Sequence, residues 1–175
     1  GAVVAVVEVA DFGAELLLAI FRVADAEVGE APREVVDVLV RDVDEEPRRL
    51  RDVVLRELAG QTEVDEADLV AVPAISLQAP VPEELLEGLR RAVARGAQVM
   101  SVCSGAFIPA QAGLLDGKSA TTWYGVVDNL RQAAPKANVV EGRRFIDNGG
   151  IITTAGVSAG IDGALHVVAR LLGRQ

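Results

Sequence analysis

The sequence predicts an α/β domain whose parallel sheet is doubly wound, with helices on both faces. Three observations point there. Aliphatic runs near residues 2–9, 68–73 and 98–102 lack the alternation of a half-exposed strand, so each needs cover on both sides. Amphipathic stretches of helical period lie between several of these runs. Half of the 175 residues are hydrophobic, yet the aromatics are only one Trp, one Tyr and four Phe, so Val, Leu and Ala must fill the core. The length suits one domain over residues 1–175 and is short for two.

Along the chain, Ala2 to Val9 reads as a first buried strand, and Phe12 to Ala24 as a helix with Asp11 available as its N-cap. Glu34 to Arg41 follows as a strand. Residues Asp42 to Gln61 fit neither period cleanly, and an edge strand or hairpin is expected there. Asp68 to Pro73 is a third buried strand. Pro82 to Arg95 is a helix: proline stands in its first turn, Glu83 and Glu84 sit at the positive end of its dipole, Arg90, Arg91 and Arg95 lie toward the other end, and Gly96 stops it. Gln98 to Val102 is a strand, and Ala106 to Leu115 a helix interrupted at Gly113. After the Asp116-Gly117 turn a short strand ends in Thr121-Thr122, and a helix runs from about Val126 to Ala133. Phe145 to Thr154 reads as a hairpin around Gly149-Gly150, and Ser158 to Leu172 as the last helix.

A net charge of -9 without a basic stripe argues against nucleic acid and against anionic membranes. The single cysteine forbids an internal disulfide, and no CxxC or His-rich cluster offers a metal site, so no metal or other cofactor is expected and the cytoplasm is the natural setting. The opening apolar segment is short, with neither a basic flank nor a cleavage signature. It reads as a strand rather than a signal peptide, and nothing approaches the roughly 18 apolar residues of a membrane span.

The lone cysteine, Cys103, ends the strand Gln98 to Val102 and is followed by Ser104-Gly105-Ala106, small residues that let the chain bend into a helix. That is the context of a nucleophile elbow, the thiol counterpart of the serine in G-x-S-x-G enzymes. The N–H groups of the first turn would favour the thiolate. The plain alternative is a small buried hydrophobe. Pro73, Cys103 and Thr122 all fall at carboxyl ends of expected strands, where ligands of doubly wound sheets bind.

The stretches Asp68-Leu69-Val70-Ala71-Val72-Pro73, Ala97 through Phe107, Ala112 through Thr122, Phe145-Ile146-Asp147-Asn148-Gly149 and Thr154 through Asp162 resemble the ThiJ/PfpI branch of the class I glutamine amidotransferase-like superfamily. That branch includes isonitrile hydratases, small-molecule glyoxalases and the amidase-like domain of AraC-type regulators. The resemblance runs from about Asp68 to Gly173 and is loose over the first 65 residues. It implies a flavodoxin-like fold, Cys103 as nucleophile and a homodimer.

The chain departs from that pattern in three places. Relatives usually place histidine after the Thr-Thr pair, whereas Trp123 and then Tyr124 stand here, and the only histidine, His166, lies in the last helix. A Cys-His dyad is therefore not expected. Relatives often carry Gly-Gly after the third strand to form an oxyanion hole; this chain has Pro73-Ala74-Ile75-Ser76, leaving the N–H groups of Ala74 and Ile75 for that task. Isonitrile hydratase-like relatives carry an acid in the first strand-to-helix turn, which Asp11 matches best and Glu15 matches one helical turn later. Asp11 reads equally well as a helix cap, and Glu15 as an ordinary first-turn carboxylate.

The reading that follows is an enzyme in which Cys103 attacks an isonitrile, nitrile or activated carbonyl, with Asp11 or Glu15 as acid and base. Ala74, Ile75 and Ser104 would supply N–H donors, Ser104, Thr121 and Thr122 hydroxyl contacts, and Trp123 an aromatic wall. The alternative is a catalytically silent ligand-binding or redox-sensing domain, in which Trp123 and Tyr124 cover a small molecule or merely pack. Because the chain ends soon after its last helix, the DNA-binding part of regulator relatives is not expected, and the partner is a small molecule.

Overall fold

The computed structural model describes residues 4–6, 67–78 and 80–172. In chain order the described elements are β1 (Val4–Val6), β2 (Leu69–Val72), α1 (Glu83–Arg95), β3 (Gln98–Val102), a 3-10 turn (Cys103–Ala106), α2 (Phe107–Gln111), β4 (Ser119–Ala120), a second 3-10 turn (Tyr124–Val126), α3 (Val127–Ala133), β5 (Asn138–Val139), β6 (Phe145–Asp147), β7 (Ile151–Thr154) and α4 (Val157–Leu172). The main sheet has the order β1-β2-β3-β7-β6. Its pairs are parallel, with Val4 beside Leu69, Leu69 beside Gln98 and Val99 beside Ile151, except that β6 runs antiparallel to β7 with Phe145 opposite Thr154. β4 and β5 form a separate parallel pair.

The side-chain period of two divides the strands between two cores. Val70 and Val72 of β2, Val99 of β3 and Ile151 of β7 face one side, where Leu85, Leu89 and Ala92 of α1, Ile108 of α2 and Leu130 of α3 cover them. Leu69, Ala71, Met100, Val102 and Ile152 face the other, under Ala164 and Val167 of α4. A strand covered twice must be apolar throughout, which is why the runs do not alternate. Helix α1 shows the sequence signals in place. Glu83 and Glu84 occupy its first turn, Gly96 follows with φ 106, and the Ala97 N–H returns to the Ala92 carbonyl at 2.9 Å in a Schellman closure. Pro82 stands at the N-cap rather than inside the first turn.

Two expected elements differ in extent. The helix expected over Ala106 to Leu115 is a 3-10 turn followed by one short α segment that ends at Gln111, before Gly113 with φ 74. The strand expected to end in Thr121-Thr122 ends at Ala120, because the Thr121 N–H leaves the ladder and donates to Thr153 Oγ1 at 2.9 Å. The expectations for residues 7–66, among them the helix over Phe12 to Ala24 and the strand over Glu34 to Arg41, lie outside the described residues.

Candidate functional site

Strands β2, β3 and β7 are adjacent and parallel, so Pro73, Cys103 and Ala155, each the residue after its strand, meet at one edge of the sheet. Cys103 is half-buried, and among the described residues it is the only non-glycine with positive φ, at 57. Such a backbone costs an L-residue roughly 1–3 kcal/mol and persists only where its surroundings hold it. Here they do so from both sides. The Cys103 N–H donates to the Ala155 carbonyl at 3.1 Å, and the Cys103 carbonyl accepts the Thr122 hydroxyl at 2.6 Å.

The turn that follows is clamped onto the end of β2. Ser104 exchanges two hydrogen bonds with the Ile75 backbone: its Oγ accepts the Ile75 N–H at 2.9 Å and donates to the Ile75 carbonyl at 2.7 Å. Gly105 makes the approach possible, since a Cβ there would stand 2.3 Å from the Pro73 carbonyl oxygen and 2.5 Å from that of Val72. The structure therefore puts Ala74, Ile75 and Ser104 beside the elbow. The Ile75 N–H, expected to face a substrate, is engaged by Ser104 instead.

Thr121 and Thr122 are buried. Thr121 is pinned by Thr153 and donates its hydroxyl to the Arg143 carbonyl at 3.3 Å, while the Thr122 hydroxyl is taken by Cys103. Trp123 and Tyr124 emerge beyond them. Their rings meet edge to face with centroids 5.1 Å apart, and the Trp123 ring lies so close to Gly125 that a Cβ there would fall 2.6 Å from it. Together with Arg143, Gly156 and Ser158 they line a cleft of about 390 Å³. Thr122 and Ala155, the two residues that hold the Cys103 backbone, also line it; Cys103 itself does not. Arg144 is matched by Asp162 at 3.1 Å, while Arg143 makes no ion pair among the described residues.

Asp11 and Glu15 lie outside the described residues. His166 is held elsewhere. Its Nε2 lies 2.7 Å from Asp147 Oδ2, which also accepts Arg170 Nη1 at 2.6 Å, while Asp147 Oδ1 accepts the Gly149 N–H at 2.7 Å. Burial by itself raises the Asp147 pKa. The hydrogen bonds from His166, Gly149 and Arg170, with the charge of Arg170, outweigh that and hold the carboxyl below its usual range. This cluster fastens α4 to the β6–β7 hairpin. The Ala155 carbonyl and Asp147 were absent from the sequence-based site; the rule that ligands gather at strand carboxyl ends could have flagged Ala155, which directly follows β7.

Among the described residues no group of three His, Cys, Asp or Glu stands ready for a metal, and no helix is long and apolar enough to cross a membrane.

The pattern of the DJ-1/PfpI family matches residues 8–170. The isonitrile hydratase of Pseudomonas putida is 34% identical over 109 residues, covering 61% of this chain and 46% of that protein. The HTH-type transcriptional regulator CdhR of Pseudomonas aeruginosa is 34% identical over 95 residues, covering 54% of this chain and 28% of that protein. The chain thus spans less than half the length of these two relatives. The crystal structure of Drosophila melanogaster DJ-1beta superposes with a TM-score of 0.64 at 19% identity, covering 99% of this chain and 92% of that one, which extends the likeness of fold over the chain. A mostly parallel sheet covered on both faces, a strained cysteine elbow and a match over nearly the whole sequence place this flavodoxin-like α/β chain in the DJ-1/PfpI family.

Proposed function

We propose that the chain is a cysteine-dependent small-molecule enzyme that hydrates or hydrolyses an electrophilic carbon, with an isonitrile as first choice and a nitrile or activated carbonyl as the related substrates. The observation that carries this is Cys103, held at φ 57 at the carboxyl end of the middle strand of the described sheet. Strained backbone conformations cluster at active sites, and a nucleophile elbow is one that aims its reactive group. The similarity to an isonitrile hydratase supports the choice of substrate.

For an isonitrile the balance is simple. A carboxylic acid, Asp11 or Glu15, delivers a proton to the terminal carbon as Cys103 Sγ bonds to it, giving a thioimidate. The carboxylate then takes a proton from water, whose oxygen adds to that carbon, and passes the proton to nitrogen. Collapse breaks the C–S bond, releases the thiolate and returns the hydroxyl proton to the carboxylate. The product is an N-substituted formamide, the sum of substrate and one water. No histidine is needed, since one carboxyl group cycles between its two states. With the Ile75 N–H engaged by Ser104, the N–H groups of Ala74 and Ser104 are assigned to the developing charge.

The test is formamide production from an alkyl isonitrile. Cys103→Ser is expected to lower kcat/KM by about 10⁴-fold or more, and one of Asp11→Asn and Glu15→Gln by about 100-fold or more. No turnover by the parent, or turnover that survives Cys103→Ser, removes the reading.

The cleft beside the elbow favours a second reading, a ligand-binding domain whose chemistry is lost. Its aromatic wall holds Trp123, the only tryptophan of the chain, so intrinsic fluorescence reports a ligand there. Ligands that change this fluorescence while Cys103 turns nothing over would select it. The family resemblance supports a homodimer, and a monomer in sedimentation at high micromolar concentration would count against that assembly.

A further inference from the structure

We propose that Thr122 is a positioning residue for Cys103: its hydroxyl holds the Cys103 carbonyl, and so fixes the left-handed backbone that aims the thiol. This rests on the reading of Cys103 as the reactive group and changes the part expected of Thr122, that of a hydroxyl presented to substrate. Thr122 is only 2% exposed, and its hydroxyl proton is given to the Cys103 carbonyl at 2.6 Å. A hydroxyl has one proton to donate, so while this bond stands none is left for a ligand.

The support beneath Thr122 makes the hold effective. Thr121, the residue before it, is fixed through its N–H to Thr153 of β7 and through its hydroxyl to the Arg143 carbonyl. The other grip on Cys103 comes from the Ala155 carbonyl, and the Ala155 N–H is itself bonded to the Arg144 carbonyl at 2.8 Å. Both grips are therefore anchored in the segment that carries β6 and β7, and the elbow is held between two fixed points. Ala155 acts through its backbone. Thr122 is the grip that a side-chain substitution can remove. Without the hydroxyl, the Cys103 carbonyl loses that partner, and rotation of the peptide toward ordinary φ swings the thiol with it.

The experiment is alkylation of Cys103 by iodoacetamide in parent, Thr122→Val and Thr122→Ser, each in the native state and fully unfolded in guanidinium chloride, with kcat and KM measured wherever the parent turns over an isonitrile. Valine keeps the shape and removes the hydroxyl; serine keeps the hydroxyl. Native Thr122→Val is expected to react about 10- to 100-fold more slowly than the parent, Thr122→Ser is expected to restore most of the rate, and the unfolded chains are expected to react alike. Where turnover is present, kcat falls and KM holds. Equal native rates for parent and Thr122→Val overturn the proposal, as does a Thr122→Ser rate as low as that of Thr122→Val. Should Thr122→Val fail to fold, Thr122→Ala takes its place; if neither folds and Thr122→Ser does, the hydroxyl serves the fold and not the aim of the thiol, and the proposal falls. Alkylation requires no substrate, so lack of isonitrile turnover removes the enzymatic reading without touching this result.

Discussion

Cys103 occupies a backbone conformation that glycine adopts freely and an L-residue does not. The structure keeps it there with two hydrogen bonds, from Thr122 and to Ala155. Relieving the strain of φ 57 stabilises the fold. Cys103→Gly is therefore expected to be more stable than Cys103→Ala by about 1 kcal/mol in urea unfolding, against the usual penalty for glycine; equal or reversed stabilities would show that the elbow is relaxed. The elbow itself was legible in the sequence, because an apolar strand, a cysteine and three small residues are contiguous. Its supports were not. Thr122 lies 19 residues from Cys103 and Ile75 lies 29 from Ser104, so their bonds exist only once β2, β3 and the loop after β4 have been brought to one edge. The side chains looked like ligand contacts because sequence shows which groups can hydrogen bond and not which bonds the fold has already made.

Helix α4 shows how one element serves the site at a distance. It packs on β3 and β7 through small residues: a Cβ at Gly163 would fall 2.4 Å from Thr154 Cγ2 and 3.1 Å from Met100 Cε. Alanine's helix propensity would favour Gly163→Ala by about 1 kcal/mol, but the overlap involves the body of a buried threonine in the strand that leads to Ala155. Overpacking costs about 1–3 kcal/mol, so the variant is expected to melt below the parent. Stability at or above that of the parent would mean that the layers separate easily.

The same helix is fastened to the hairpin by Asp147, which takes hydrogen bonds from His166, Arg170 and the Gly149 N–H. A carboxyl held below its ordinary value contributes stability above its unfolded pKa of about 3.9 and loses it as pH falls through the folded value. Acid unfolding of Asp147→Asn should therefore lose part of the steepness seen for the parent below about pH 4, and near neutrality the variant should be destabilised by about 1–3 kcal/mol. Identical acid limbs would contradict the assignment. The hairpin and α4 were readable from turn glycines and helical period, whereas the pairing of Asp147 with His166 across 19 residues carries no local signal.

At the scale of the molecule, a parallel sheet gathers the carboxyl ends of β2, β3 and β7 at one edge, and the family match extends over residues 8–170. That much follows from uninterrupted aliphatic runs, which leave few ways to bury a strand on both faces. The proposed chemistry of Cys103 also requires a carboxylic acid, for which Asp11 and Glu15, outside the described residues, are the candidates. Whether Cys103 is an activated nucleophile is decided by its rate of alkylation by iodoacetamide in the folded parent, in the parent unfolded in guanidinium chloride, and in folded Asp11→Asn and Glu15→Gln, with Cys103→Ser as the blank. The folded parent is expected to react faster than its own unfolded chain, and one of the two carboxylate variants is expected to change the rate while the other does not. A folded thiol that reacts more slowly than the unfolded chain, and at the same rate in both variants, would contradict an activated Cys103.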